Sequence, residues 1–220
     1  MEFVIYFFRY FILFIIYSFI GWLFEVFLTI VKEHKYVNRG FLIGPIVPIW
    51  GTGAILISLI LKEKDGIFNL LVSSAFIGTF LEYLVNVIME KIFKARWWDY
   101  SNLPFNINGR VWLGSSILFG IGGMCVVLYF NPFFLSFINN LNSNMLIYFG
   151  LLLLIIVIID LSISCNIIKS LKLSAYSIKK DYTEEVSNKV RSVLKEKSRS
   201  FNRLIKAFPD VYFLFKGKKN

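Results

Sequence analysis

Long runs of apolar residues, separated by short polar segments, dominate the chain from its first residues to about residue 168. The hydrocarbon core of a bilayer is about 30 Å thick, and a helix needs about 20 apolar residues to cross it. The pattern predicts five membrane-spanning helices, at approximately 3–31, 46–61, 67–93, 111–130 and 145–168. The predicted fold class is therefore an all-α membrane protein with about five transmembrane helices, which form one domain over residues 1–168.

The composition supports this fold class. Hydrophobic residues make up 57% of the chain and aromatic residues 18%, and the mean hydropathy is +0.66. Soluble domains average roughly 45–50% apolar residues. The first apolar run continues to Val31 without a cleavage site of small residues, so we expect a retained span and not a secretory signal.

The segment 169–220 has a different character and is predicted to be a cytoplasmic basic helical tail. Between Ile167 and Asn220 there are fourteen Lys or Arg residues, so most of the +10 net charge lies there. Asp181 and Glu184 have the spacing of a capping box, and apolar residues then recur at helical spacing. Such a helix typically lies on anionic lipid headgroups, although a partner protein, a second copy or the chain's own inner loops would also cover it. Nucleic-acid binding is not expected, because no base-reading motif accompanies the charge.

The distribution of basic residues among the connections predicts the orientation. The connections after the first and third predicted spans are richer in basic residues. The first contains Lys32, Lys35 and Arg39, and the second contains Lys91, Lys94, Arg96 and Arg110. The connection between spans two and three holds only Lys62 and Lys64, and the segment 131–144 holds none. By the positive-inside rule, the N-terminus is predicted outside and the C-terminus in the cytoplasm.

Three carboxylates, Glu25, Glu82 and Asp160, lie inside predicted spans. A charge at the centre of a membrane helix costs at least about 2.5 to 3.5 kcal/mol on insertion scales, so each needs a partner or a wet cavity. Their distances along the chain from the next basic residue place all three roughly 10 to 14 Å from the cytoplasmic face. We therefore expect polar surroundings at one common depth.

The segment 40–53, which leads into the second predicted span, is rich in glycine and contains Pro45 and Pro48. Proline removes a backbone donor and disrupts a regular helix. Irregular backbone at membrane depth persists only where protein or water covers it. This segment is therefore expected to form part of a polar site near the cytoplasmic face.

The segment 96–110 is too polar for a span and unusually aromatic for a solvated loop. It carries Asp99 and Arg110 next to the predicted depth of Glu25 and Glu82. Arg110 is the expected counter-charge of Glu25 or Glu82, since a guanidinium can bind a carboxylate with two hydrogen bonds. These four charged residues are predicted to surround a vestibule open to the cytoplasm. The supporting residues of this predicted site are Trp22, Pro45, Pro48, Trp98, Tyr100 and Asn106.

A purely structural interpretation of these residues stays open. The carboxylates and Arg110 would then fix how the helices pack, Asp160 would reach the interface or be protonated, and Trp97, Trp98 and Tyr100 would be interfacial aromatics. On the fourth predicted span, small residues predict close helix packing, namely Ser116, Gly120, Gly122 and Gly123.

No catalytic, metal or cofactor site is predicted. Cys125 and Cys165 fall inside predicted spans, where a small buried side chain is their common role, and His34 is the only histidine. A lone histidine in a charged loop is typically solvated.

Short motifs recur in a fixed order between residues 21 and 110, namely Gly21-Trp22-x-x-Glu25, Gly44-Pro45-Ile46-x-Pro48-Ile49-x-Gly51, Glu82, and Trp98-Asp99-Tyr100-Ser101-x-x-Pro104-x-Asn106-x-x-Gly109-Arg110. They resemble the motifs of a bacterial membrane family, the CmpB-type putative ABC-transporter type IV proteins. The resemblance covers about Ile20 to Gly123, and leaves the fifth span and the tail outside. Trp50 stands where the family pattern has tyrosine.

The resemblance implies a transporter permease in the bacterial inner membrane and assigns no role to any residue. The sequence has no Gly-x4-Gly-Lys-Ser/Thr loop, so we expect a separate ATPase subunit, in a homo-oligomer or hetero-complex. An alternative is a membrane enzyme acting on a lipid or isoprenoid headgroup, although no metal cluster, Asp-rich motif or Gly-x-Ser-x-Gly motif is present. A regulatory or assembly protein is the third possibility.

Overall fold

The computed structural model describes residues 1–93 and 95–178, together with residues 203, 206, 207, 212 and 213. Its helices are α1 (Glu2–Glu33), α2 (Pro48–Ile60), α3 (Ile67–Phe93), α4 (Leu113–Cys125), α5 (Asn131–Asn139) and α6 (Ser143–Ile178). A single 3-10 turn, Glu63–Asp65, precedes α3, and a π-helix, Val126–Phe130, joins α4 to α5. A two-residue strand β1 (Ala95–Arg96) pairs antiparallel with β2 (Tyr212–Phe213).

Four stretches of the described residues are helical, long and apolar enough to cross a membrane, namely Glu2–Lys32, Ile67–Phe93, Leu113–Asn139 and Ser143–Lys169. The protein is therefore an all-α, multi-pass membrane protein, as predicted. The second predicted span is the exception, since α2 has only 13 residues. At about 1.5 Å per residue it is about 20 Å long, which is less than the hydrocarbon thickness of about 30 Å.

The short helix α2 begins beside the middle of α1. The N–H of Val47 donates to the carbonyl of Ser18 at 3.0 Å, and Ser18 lies near the midpoint of α1. The connection 34–47 is not helical. Irregular backbone thus reaches the depth of the middle of α1, where its polar groups need partners from the protein.

Glycines allow α1 and α2 to pack closely. A Cβ on Gly21 would overlap the side chain of Trp50, and a Cβ on Gly51 would lie 2.5 Å from the carbonyl of Phe14. The absence of side chains at both positions lets the two backbones approach. This contact fixes Trp50 beside α1.

Helices α3 and α4 pack in the same way. A Cβ on Gly120 would lie 2.9 Å from the carbonyl of Leu71, and one on Gly123 would lie 2.5 Å from the Cβ of Ser74. Ser116 accepts a hydrogen bond from Thr79 at 2.7 Å. The predicted packing role is confirmed for these residues but not for Gly122, where a Cβ would meet nothing within 4 Å.

The fourth span continues beyond its predicted end at residue 130. Because α4 passes through the π-helix into α5, the chain stays helical to Asn139, and the prediction of a loop over 131–144 is wrong. Pro132 occupies the first turn of α5, a position where the missing N–H is tolerated. Asn131 there accepts a hydrogen bond from the hydroxyl of Tyr17 at 2.6 Å.

Most of the predicted tail lies outside the described residues, including the capping box of Asp181 and Glu184 and the apolar stripe after it. The helix α6 runs to Ile178 instead of ending near residue 168. Arg203 and Ala207 of the tail are described, and Ala207 is fully buried.

A candidate binding cavity between the helices

A cavity of about 460 Å³ lies among α1, α2, α3, α4 and the two connections 34–47 and 95–112, and the π-helix and α6 also contribute to its wall. Its lining is mainly apolar and aromatic. The charged side chains along it are Glu25, Arg39 and Glu82. Of the predicted site residues, the cavity brings together Glu25, Pro48, Glu82, Trp98 and Tyr100, whereas Trp22, Pro45, Asp99, Asn106 and Arg110 do not line it.

Glu82 is buried in α3, with 6% of its surface exposed. Its Oε1 accepts a hydrogen bond from the Tyr100 hydroxyl at 3.2 Å, and its Oε2 accepts one from the Ser115 hydroxyl at 2.9 Å. Each carboxylate oxygen thus has a donor, which offsets part of the cost of burying it. Glu82 connects α3, the segment 95–112 and the first turn of α4.

Tyr100 is held as a hydrogen-bond donor. Burial raises the pKa of its phenol, and the nearby carboxylates of Glu82 and Glu25 raise it further, while Arg39 acts in the opposite direction. The phenol therefore stays protonated at neutral pH. Its backbone N–H donates to the carbonyl of Gly109 at 2.7 Å, which fixes the residue in the turn.

Glu25 interacts with a different set of groups at the cavity wall. The Nε of Arg39 lies 3.8 Å from its Oε2, and the indole N–H of Trp50 donates to its Oε1 at 3.4 Å. About a third of each side chain of the ion pair is exposed, at 30% for Arg39 and 32% for Glu25. Sequence reasoning counted Arg39 only as a determinant of topology and missed this role.

Arg110 pairs with neither predicted carboxylate, so that prediction is wrong. Its Nη1 lies 2.8 Å from Oε2 of Glu90 and donates to Oδ1 of Asn86. Glu82, Asn86 and Glu90 recur every four residues and therefore share one face of α3. Arg110 contacts the part of that face nearer the C-terminus of α3, at Asn86 and Glu90. The four-residue spacing is the sequence signal that could have identified Glu90 as its partner.

Asp99 also does not face the buried carboxylates, contrary to the prediction. Its Oδ1 accepts hydrogen bonds from the backbone N–H and the hydroxyl of Ser101, and its Oδ2 lies 3.5 Å from Nη1 of Arg96. A side-chain acceptor that binds the backbone two residues later is typical of a turn. Asp99 shapes the segment that carries Tyr100.

Asn106 stabilises the same turn. Its amide donates to the carbonyls of Ser101 and Leu103 at 3.2 and 2.7 Å, and its Oδ1 accepts from the N–H of Gly109 at 2.9 Å. Gly109 has a φ of 64°, a conformation that strongly favours glycine. These residues act on the cavity only through the position of Tyr100.

The two tryptophans of this segment face the protein interior. Trp97 is 5% exposed and packs against Phe41 and Phe93, with ring centroids 5.8 and 6.0 Å away. Trp98 donates from its indole to the carbonyl of Arg110 at 3.1 Å. Both line the cavity.

Trp22 contributes to the connection 34–47 from outside the cavity. Its indole N–H donates to Oδ1 of Asn38 at 2.8 Å, and the amide of Asn38 donates to the carbonyl of Ile43 at 3.0 Å. Trp22 thereby ties α1 to the irregular segment in front of Pro45.

Asp160 holds this irregular segment from α6. Its two oxygens accept hydrogen bonds from the N–H groups of Ile43 at 2.8 Å and Gly44 at 2.7 Å, and Ser164 donates to it at 3.0 Å. A Cβ on Gly44 would lie 2.9 Å from Oδ2, so glycine allows this close approach. Asp160 satisfies backbone donors that no helix or sheet satisfies.

Arg203 of the tail binds the carbonyl side of the same segment. It donates to the carbonyls of Gly40 at 2.9 Å, Leu42 at 2.6 Å and Phe41 at 3.3 Å. Burial lowers its pKa, and Asp160 opposes that shift. Sequence reasoning missed Arg203 because nothing distinguished it from the other basic residues of the tail.

The sequence profile of the family described as "Putative ABC-transporter type IV" matches residues 12–165. The chain belongs to this family. The match extends past Gly123 into α6, so most of the fifth predicted span, up to residue 165, lies inside the family region, which the motif resemblance did not cover. No curated protein and no solved structure matches the chain.

In this type IV family member, the matched region contains all the described residues that line the cavity, from Tyr17 to Leu161. It also contains Asp160, whereas Arg203 lies outside it. The cavity and the anchoring of the irregular segment to α6 therefore fall within the part of the chain that the family profile describes.

Proposed function

We propose that this chain is a permease-like membrane component of a transporter and that its cavity is the substrate chamber. The cavity carries the proposal, because it brings two carboxylates from separate helices, Glu25 and Glu82, into one largely apolar space. Ligand sites in proteins are typically concave, mostly apolar and fitted with few polar groups. The membership of a family described as ABC transporters supports the same function.

The energy source is proposed to be a separate ATPase polypeptide, in a hetero-complex or with two copies of this chain. The sequence contains no Gly-x4-Gly-Lys-Ser/Thr loop to bind the phosphates of ATP. The connections 34–47 and 95–112, which border the cavity, are the proposed coupling surface.

Purification of the affinity-tagged full-length chain in mild detergent tests this proposal. We expect it to retain a polypeptide with a P-loop, and the complex to hydrolyse ATP. A tagged, unrelated multi-pass protein from the same membranes is the control. A preparation that contains this chain alone, at any detergent concentration that keeps it folded, would contradict the proposed complex.

The proposed location is the bacterial inner membrane, with the N-terminus outside and the segment 95–112 and the C-terminus in the cytoplasm. This topology requires the connection 34–47 and α2 together to cross the membrane once between α1 and α3, with α2 covering the part of the crossing that begins beside Ser18. Replacing Cys125 and Cys165 by serine gives a background for single-cysteine labelling. In intact cells, a membrane-impermeant thiol reagent is expected to label Asn142→Cys and not Ser101→Cys. The reverse pattern would invert the topology and place the cavity entrance on the outer side.

Apart from Arg203, which binds the connection 34–47, the basic residues of the tail are proposed to lie on anionic lipid headgroups. These cations each contribute about 1 kcal/mol near such a surface. A chain that ends at Ile178, reconstituted beside the full-length chain, is expected to lose its preference for lipid rich in phosphatidylglycerol. Equal lipid preference of the two chains would contradict this role.

A further inference from the structure

Glu82 is a buried carboxylate to which the described residues supply hydroxyl donors but no cation. Only 6% of it is exposed, and Tyr100 and Ser115 each donate one hydrogen bond. No Lys, Arg or His nitrogen of the described part of the chain lies within 4.0 Å of its oxygens. Neutral donors offset only part of the cost of burying a negative charge.

Arg39, which lines the cavity, and Arg110, which contacts the same face of α3, are engaged with other carboxylates. Arg39 lies 3.8 Å from Glu25, so the two formal charges at that wall offset each other. Arg110 lies 2.8 Å from Glu90 and does not line the cavity. With Glu82 ionised, the described lining therefore carries one net negative charge.

Aromatic rings stand beside both carboxylates. Trp50 donates to Glu25 and packs edge-on against Phe119, with a centroid distance of 6.0 Å. Tyr100 donates to Glu82, and Trp98 lines the same space. The faces of such rings attract cations, and the attraction grows when water is excluded.

An inorganic ion fits this lining poorly. Calcium takes six to eight oxygen ligands and magnesium retains several waters, whereas most of this wall is aliphatic or aromatic. An anion would meet the charge of Glu82 in surroundings of low dielectric, where repulsion is strong. A volume of about 460 Å³ is suited to an organic molecule.

We propose that the cavity binds a monovalent organic cation whose bulk is apolar, with its charge next to Glu82 and its apolar groups against the aromatic wall. This assignment of a substrate class rests on the proposed function of the cavity as a substrate chamber. Glu25 and Arg39 form a neutral ion pair on the same lining.

Tetraphenylphosphonium and tetraphenylborate, which have similar size and shape but opposite charge, provide the test. Equilibrium dialysis against the purified full-length chain is expected to show saturable binding of the phosphonium only. Glu82→Gln should weaken that binding about tenfold or more, because removing one partner of a buried charge pair is costly. Glu82→Asp keeps the charge and should retain the preference for the cation.

Glu63→Gln is the matched control, since it removes one carboxylate from the 3-10 turn Glu63–Asp65, outside the cavity. Its binding should equal that of the unchanged chain. Elution volume and thermal midpoint verify that each variant is folded. Equal binding of both ions, or unchanged binding by Glu82→Gln, would overturn the assignment.

Labelling of a cysteine at position 54 distinguishes a failure of the proposed substrate class from a failure of the proposed chamber. Ala54 lines the cavity and is 7% exposed, so a small thiol reagent reaches it only through that space. The variant Ala54→Cys is made in the background without Cys125 and Cys165. If it is labelled but the protein shows no preference for the cation, the proposed chamber stands and the substrate class is overturned. If Ala54→Cys is not labelled and the cation does not bind, both the chamber and the substrate class are overturned.

Discussion

Two carboxylates on one face of α3 are stabilised by different chemistry. Glu82 accepts hydrogen bonds from two hydroxyl groups in the protein interior, whereas Glu90, two turns further along, forms an ion pair with Arg110. Asn86 lies between them and accepts a hydrogen bond from the same guanidinium. The position of Arg110 along this face therefore decides which carboxylate has a fixed counter-ion and which lacks one.

This arrangement predicts which residues are energetically coupled. In a double-mutant cycle, Arg110→Gln and Glu90→Gln should show a coupling of about 1–2 kcal/mol in the free energy of unfolding, since they share a direct ion pair. Arg110→Gln and Glu82→Gln should be additive within about 0.5 kcal/mol. Reversible unfolding in mixed micelles measures both cycles, and a larger coupling for Glu82 than for Glu90 would contradict the observed pairing.

At the residue scale, the sequence predicts which charged side chains need polar partners better than it predicts which groups those partners are. Buried charges in a membrane protein need counter-groups, and that rule correctly selected Glu25, Glu82 and Arg110 as residues with polar partners. Their actual partners depend on how the helices are rotated and on how far each side chain reaches. Glu82 and Glu90 share one face of α3 but lie about two turns apart, so Arg110 reaches only Glu90. Asp99 was misplaced because its own backbone turn offers nearer donors than the cavity does.

Among the elements, the irregular connection 34–47 is the one that requires most support. Asp160 satisfies its donors at Ile43 and Gly44, and Arg203 satisfies its acceptors at residues 40–42. Phe41 and Val47 of this connection line the cavity. The position of the cavity wall therefore depends on groups from α6 and the tail.

Removing the side-chain acceptor of α6 is expected to destabilise this connection. Asp160→Ala leaves the exposed N–H of Ile43 and the partly buried N–H of Gly44 without their partner, which should cost about 2–3 kcal/mol in total. Asp65→Ala is the matched control, because Asp65 accepts a bond from the exposed N–H of Lys62 and its loss should cost about 1 kcal/mol. Thermal midpoints in one detergent compare them, and an equal or smaller loss for Asp160→Ala would contradict the anchoring role.

Adjacent glycines on α4 give a second comparison between elements. Gly123→Ala should destabilise the protein by about 1–3 kcal/mol, because its Cβ would lie 2.5 Å from Ser74 of α3. Gly122→Ala meets open space and should be neutral or stabilise the helix by up to about 1 kcal/mol. The thermal midpoints of the two variants measure the difference. Similar midpoints would show that α3 and α4 are not packed through Gly123.

For the whole molecule, hydrophobic runs predict the number and place of the long helices well. The bounds of α3 coincide with the predicted span 67–93, because both ends are flanked by polar residues. The span 46–61 was predicted as one membrane-crossing helix, yet α2 is short, since Pro45 and Pro48 keep the preceding backbone irregular. Apolar composition predicts that a segment lies at membrane depth but not that it is helical throughout.

The cavity itself was only partly predictable. Glu25 and Glu82 both line the cavity, but the distance between them depends on helix packing that no periodicity reveals. Ser115 and Tyr100 come from two further segments, and only the tertiary structure brings both to Glu82. Arg203 could not be selected, because fourteen basic residues of the region from 167 onward are equivalent in the sequence.

The π-helix Val126–Phe130 makes this part of the chain tolerant of a change in length. Its turn holds one residue more than an α-helical turn while rotating the helix by about the same angle, so the helix that follows keeps its phase. Deleting a single residue there should restore a continuous α-helix and leave Asn131 in reach of Tyr17 and Ser58, with which it forms hydrogen bonds. The same deletion in the middle of α3, a regular α-helix, would rotate everything after it by about 100°, so tolerance to deletion differs sharply along the chain.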